Sequence, residues 1–140
     1  MIIYSQNLSN YGIGIPKHAI YRINLAWVNS LDELRQLLAK HKDHKIFMDL
    51  PIGRTKPPNN AYSFSDLLPV LQEHENIQYF AISNVNSAKD IENFHNLIPK
   101  SIIIVPKIES PQGIANIEEI IKKLDYRDKV IMLDHDDLFS

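Results

Sequence analysis

Lys107 and Glu109 stand two residues apart, just beyond the apolar run Ile102-Ile103-Ile104-Val105. In an extended chain that spacing puts both side chains on one face. An ammonium beside a carboxylate can stabilise or protonate an enolate formed next to a metal-bound carboxylate. Glu109 and Asp137, with Asp49 near them, supply the oxygen ligands of a hard divalent cation such as Mg or Mn, which keeps positions open for an anionic small molecule. A plainer reading stands beside this one: the carboxylates cap helices or sit in solvated loops, and Lys107 with Glu109 is an ordinary ion pair.

Whether these groups meet depends on the elements that carry them. Residues 21–27, 45–50, 78–83, 101–105 and 129–133 read as strands, rich in β-branched and aromatic side chains, and Ile2-Ile3-Tyr4 reads as a further one. Between them lie helical patterns. One opens at Ser30-Leu31-Asp32-Glu33, a capping box, with Leu31, Leu34, Leu37 and Leu38 as its apolar face. Others cover residues 65–75, 87–97 and 113–124, and Tyr11 to Pro16 reads as a turn-rich connection. Strand and helix in alternation predict βαβ units and a parallel α/β sheet in a single domain spanning residues 1–140. In such sheets ligands lie at the carboxyl ends of the strands. That rule collects Arg22 and Asn24, then Asp49, then Ser83 and Asn84, then Lys107 and Glu109, then Asp134 to Asp137 on one face.

Composition narrows the chemistry. The chain has 140 residues, 15 Lys+Arg against 17 Asp+Glu, a formal net charge of -2 and no Cys. Disulfides, Cys-ligated zinc and thiol nucleophiles are excluded, and a reducing, cytoplasmic setting is expected. No basic stripe suited to a nucleic-acid backbone is present, so no nucleic-acid partner is expected. Nor is a membrane partner, because the longest apolar run is far below the ~20 residues of a spanning helix. Only Gly12, Gly14, Gly53 and Gly113 are glycines, too few and too scattered for a phosphate-binding loop. His41 with His44, and Glu73-His74-Glu75, read as helix C-termini, His135 as a loop surface residue, and Trp27 as core.

Five segments, in order, resemble the pyruvate kinase family. Pro106-Lys107-Ile108-Glu109 with Gly113, Asn116 and Glu119-Ile120 looks like its Lys-Ile-Glu motif. Ile82-Ser83-Asn84-Val85-Asn86-Ser87-Ala88-Lys89-Asp90-Ile91 is similar to its Ser-Phe-Val-x-Ser-x-x-Asp-Val segment, and Arg22-Ile23-Asn24-Leu25 to its Arg-x-Asn-Phe strand. Asp49-Leu50 with Gly53-Arg54-Thr55 resembles its Asp-x-x-Gly-Pro-x-Ile-Arg-Thr loop, and Met132-Leu133-Asp134-His135-Asp136-Asp137-Leu138 its Met-Val-Ala-Arg-Gly-Asp-Leu. The resemblance implies a (β/α)8, TIM-type barrel that binds phosphoenolpyruvate or pyruvate through Mg or Mn. It implies Glu109 and Asp137 as metal ligands, Lys107 at the transferring phosphoryl group or enolate, and Arg22 at substrate phosphate. Asn24, Asp49 and Ser83 would line a monovalent-cation region suited to K, with Arg54 in the substrate region.

The departures are specific. Ala26-Trp27 replaces Ser-His, Asp134-His135-Asp136 replaces Ala-Arg-Gly, and the stretch between Leu50 and Ser65 is short where that family inserts a lid domain. A (β/α)8 barrel takes about 250 residues, so the chain is expected to hold an incomplete barrel of five to six βα units with a bare last edge. Completion by self-association or by a further C-terminal part of the barrel is expected. Three functions follow: a kinase-like domain binding a metal and a small carboxylate or phosphate, a catalytically degenerate scaffold, and a metal-dependent 2-oxo-acid aldolase or lyase.

Overall fold

Short β-branched runs become strands here, the four central ones largely buried on both faces. The structure, a computed structural model, describes residues 1–5, 14–53, 58 and 60–138, apart from the Asp136 side chain. Six strands are described: β1 (Ile3–Ser5), β2 (Ile20–Asn24), β3 (Ile46–Leu50), β4 (Ile77–Ile82), β5 (Ile103–Ile108) and β6 (Met132–Leu133). They lie side by side in chain order, and every pair is parallel. Each connection steps one strand in the same direction. Under the right-handed crossover rule this sends every connecting helix to one side and curls the sheet around the other. The result is the expected incomplete α/β barrel, a curled half-barrel.

The helices are α1 (Leu31–Lys40), α2 (Phe64–Glu73), α3 (Ala88–His95), α4 (Pro111–Ala115), α5 (Ile117–Lys123) and α6 (His135–Leu138). Alternation along the strands creates two separate apolar layers. Ile23, Ile46, Met48, Phe80, Ile82, Ile104 and Ile108 face the helices, where Leu34, Leu38, Leu67, Ile91 and Ile120 pack. Ile20, Phe47, Tyr79, Ala81 and Val105 face the concave side, with the Phe47 and Tyr79 rings stacked at 5.8 Å. Counting on by twos from that second layer reaches Arg22, Asp49, Ser83, Lys107 and Glu109. The concave face is therefore apolar at its base and charged at the strand ends.

Several boundaries differ from the periodic expectation. β2 stops at Asn24 because the Asn24 Oδ1 accepts the Ala26 N–H at 3.1 Å and turns residues Leu25–Trp27 into a 3-10 turn. That turn leaves Trp27, expected in the core, 38% exposed. β5 runs on to Ile108, so Lys107 lies within the strand. The expected helix over 113–124 starts earlier, at Pro111 behind the Ser110 cap. It breaks at Asn116, whose side-chain amide donates to the Asn86 carbonyl at 2.8 Å. β6 has two residues where five were expected. α2 begins on a full Ser63/Asp66 capping box rather than at Ser65. In α1, Ser30 caps the Glu33 N–H, and the Glu33 carboxylate reaches back to the Asn29 N–H. Residues 11–13 of the turn-rich connection lie outside the described residues. Among the described residues no helix is long and apolar enough to cross a membrane.

Candidate functional site at the strand ends

Lys107 is the centre of the site. It is 6% exposed, and its Nζ lies 3.2 Å from Glu109 Oε1, 3.5 Å from Asp49 Oδ1 and 4.0 Å from Asp134 Oδ2. It also donates to Ser83 Oγ at 3.4 Å. A buried ammonium costs several kcal/mol unless opposite charge surrounds it, and here carboxylates from β3, β5 and the end of β6 do so. Asp49, fully buried, pairs with Lys107 through one oxygen and with Arg22 Nη2 through the other. Arg22 reaches across to β1, where Nη1 donates to Ser5 Oγ at 3.1 Å. The charged row thus runs Ser5, Arg22, Asp49, Lys107, Glu109, Asp134 across the sheet.

Glu109 is fixed from its far side as well. Its Oε2 accepts the Asn84 N–H at 2.6 Å. Asn84 has φ 56, and Asn is one of the few non-glycine residues that tolerate such a φ. The Asn84 side-chain amide also donates to the Ile52 carbonyl of the loop after β3. Beneath the site, Gly113 lets α4 come close: a Cβ there would lie 2.7 Å from the Val85 carbonyl oxygen.

One carboxylate oxygen from each of Glu109, Asp134 and Asp137 lies within 4.8 Å of the other two. Three oxygen donors that close match what a hard divalent cation takes. In donor type and spacing the residues present fit a divalent cation.

Of the residues singled out from sequence, Arg22, Asp49, Ser83, Lys107 and Glu109 form one bonded network, and Asp137 joins Glu109 in the carboxylate cluster. Asn24 is level with Asp49 in the β2–β3 register, with its Oδ1 turned onto the 3-10 turn. Arg54 lies outside the described residues. Asn84 and Asp134, collected by the strand-end rule but given no role, both join the site. The signal for Asp134 is period two from Met132, which the register sets beside Lys107.

The histidines take other roles. His41 is the C-cap of α1 and is buried with its ring on Tyr21 at 4.1 Å. His74 ends α2, with Nδ1 3.1 Å from the Val70 carbonyl oxygen. His135 is exposed at the start of α6.

Sheet order and site position define a class: a segment of a parallel (β/α) barrel with its polar groups at the strand ends. Solved structures of that class match the chain. Pyruvate kinase from Pyrobaculum aerophilum superposes with a TM-score of 0.60 at 18% identity, over 84% of this chain and 44% of that one. RipC from Yersinia pestis superposes with a TM-score of 0.54 at 16% identity, over 85% of this chain and 53% of that one. The chain thus spans about half the length of each, and at these identities the likeness is one of fold. No protein-family model and no curated protein sequence matches the chain.

Proposed function

We propose that the strand-end face binds a divalent cation, Mg or Mn, together with a small 2-oxo acid or its enol phosphate, as a pyruvate-kinase-like domain. The observation that carries this reading is the convergence of Glu109, Asp134 and Asp137 beside the buried Lys107. Those three carboxylates would hold the cation, which when bound polarises the ligand's carbonyl oxygen and steadies an enolate. The chain's own residues do the rest. Lys107 keeps positive potential next to the position where negative charge would develop, inside a site that shields it from water. Asp49 holds Lys107 and Arg22 apart and oriented through its two oxygens. Asn84 holds Glu109 against rotation.

Among the described residues β1 and β6 are the edge strands of the half-barrel. In this reading a second copy of the chain, or further chain, supplies the strands that close it.

Calorimetric titration tests the proposal. Mn2+ followed by pyruvate is expected to give saturable heats, and both are expected to disappear in Glu109→Gln and Asp137→Asn. Absence of heat in the unaltered protein, or heats unchanged in both variants, removes the reading.

A further inference from the structure

Asn86 lies between the loop after β4 and the end of β5, half-buried, and each polar atom it carries is bonded. Its backbone N–H donates to Asp90 Oδ2 at 2.9 Å, and its carbonyl accepts the Asn116 side-chain amide at 2.8 Å. Its side chain reaches the other way. Nδ2 donates to the Asn84 carbonyl at 3.2 Å, and Oδ1 accepts from the Ser110 hydroxyl. Those two partners flank Glu109. Asn84 gives its N–H to Glu109 Oε2 at 2.6 Å, and Ser110 is the next residue after Glu109. The Asn86 amide therefore closes a ring that runs from the Glu109 carboxylate through Asn84, Asn86 and Ser110 back to the Glu109 backbone.

The ring bears on a conformation that needs support. Asn84 is at φ 56, which a residue with a Cβ keeps only where its surroundings hold it. Asn86 holds the Asn84 carbonyl, and one residue on, the Val85 N–H donates to the Lys107 carbonyl at 3.1 Å. The start of α3 is secured separately, by the Ser87/Asp90 capping box and the Asn86 backbone N–H. Truncating the Asn86 side chain thus removes its bonds to Asn84 and Ser110 and leaves the α3 cap and the Asn116 contact to the backbone in place.

We propose that Asn86 is a positioning residue of the strand-end site. By gripping Asn84 and Ser110 it keeps Glu109 Oε2 on the Asn84 N–H, with Oε1 left at 3.2 Å from Lys107 Nζ. It acts through these neighbours and is no ligand itself. The inference rests on the cation-binding reading above for its consequence, weaker or tighter ion binding, while the positioning of Glu109 can be read without an ion.

The test uses the full chain, first without metal. The Asn84 amide proton, bonded to a carboxylate, is expected downfield and slow to exchange by NMR. Asn86→Ala should move it upfield and speed its exchange by about fivefold, the scale of one neutral hydrogen bond. Mn2+ is then titrated by calorimetry. Asn86→Ala is expected to bind it about fivefold more weakly, and to cause no further loss in an Asn84→Val background, where the N–H that it positions is already displaced. Asn76→Ala, which frees the His41 and His44 carbonyls before β4, is the structural control. It should lower the melting temperature and leave both the Asn84 amide and the Mn2+ affinity unchanged. Circular dichroism checks each fold; if Asn86→Ala is unfolded, Asn86→Ser carries the same comparisons. An amide and an affinity unmoved by Asn86→Ala, an equal loss with and without Asn84→Val, or an equal loss in Asn76→Ala overturns the positioning role. If the amide responds while the unaltered protein binds no Mn2+, Asn86 still positions Glu109 and the cation reading alone falls.

Discussion

Asn84 serves the site twice, once through its backbone and once through its side chain. Its N–H, at a residue with φ 56, donates to Glu109, and the side-chain amide ties the loop after β3 at the Ile52 carbonyl. The two functions separate by substitution. Glycine keeps access to positive φ, whereas a β-branched residue is strongly disfavoured there. Asn84→Gly is therefore expected to hold Mn2+ affinity within about threefold. Asn84→Val should lose about tenfold, because the N–H that fixes Glu109 swings away, a loss on the scale of one charge-assisted hydrogen bond. Titration of both variants with Mn2+ decides it; equal losses would mean that the side-chain tether, not the backbone conformation, positions Glu109. Sequence reading identified Lys107 and Glu109 readily, because spacing by two on a strand fixes a shared face. It placed Asn84 at a strand end but gave it no role, because nothing in residue type announces a positive φ. Asp134 was likewise collected without a role, since its face can be counted only once β6 is known to end at Leu133.

At the scale of elements, hydrophobic periodicity located the strands and helices, while side-chain bonds to the backbone set their ends. Asn24, Asn116 and Ser63 each redirect the chain by such a bond, and the apolar pattern continues past the first two without a break. Local competition of this kind is what defeats periodic counting. The end of α1 shows a consequence for stability. His41, its C-cap, stacks on Tyr21 of β2, lies 5.5 Å from the His44 ring, and has its carbonyl held by the Asn76 amide at 3.2 Å. Burial, reinforced by the nearby charges of His44 and Lys40, pushes the His41 pKa below its ordinary value. Above about pH 6.5, the ordinary histidine pKa, His41 is neutral both folded and unfolded and adds no pH dependence. As the pH falls below that, the unfolded chain takes up the proton first. Stability must then drop until the folded pKa is passed. Urea midpoints at pH 7.5 and pH 5.5 should show this loss, and His41→Gln should flatten it. An undiminished slope in that variant would place the acid sensitivity elsewhere.

The molecule as a whole is a half-barrel whose site is assembled partly from its weakest strand. Alternation of strand and helix made the parallel sheet legible, and the length of 140 residues pointed to an incomplete barrel. The way the edges are held was not legible, because strand pairing is a long-range property. β3 and β4 pair over five rungs, whereas β6 is held to β5 by Lys107↔Met132, Ile108↔Leu133 and the Asp134 N–H to the Ile108 carbonyl at 3.2 Å. Leu133 is exposed, and Met132 is only partly buried against the concave layer. Such a strand opens locally at a small fraction of the global unfolding free energy. Yet the cation proposed here needs Glu109 from β5 together with Asp134 and Asp137 from beyond β6, and so binds only while β6 is docked. Linkage then sets the effect: at a free Mn2+ concentration of about 100 times Kd, the docked state gains about 2.7 kcal/mol. Backbone amides of Met132 to Leu138 are accordingly expected to exchange about 100-fold more slowly with Mn2+ than without it, while β3 and β4 amides that open only through global unfolding slow by no more than that factor. Hydrogen exchange followed by mass spectrometry, with and without the ion and repeated in Asp137→Asn, reads this directly. Slowing that is absent near β6, or that survives intact in the variant, would show that the ion does not join the two strands.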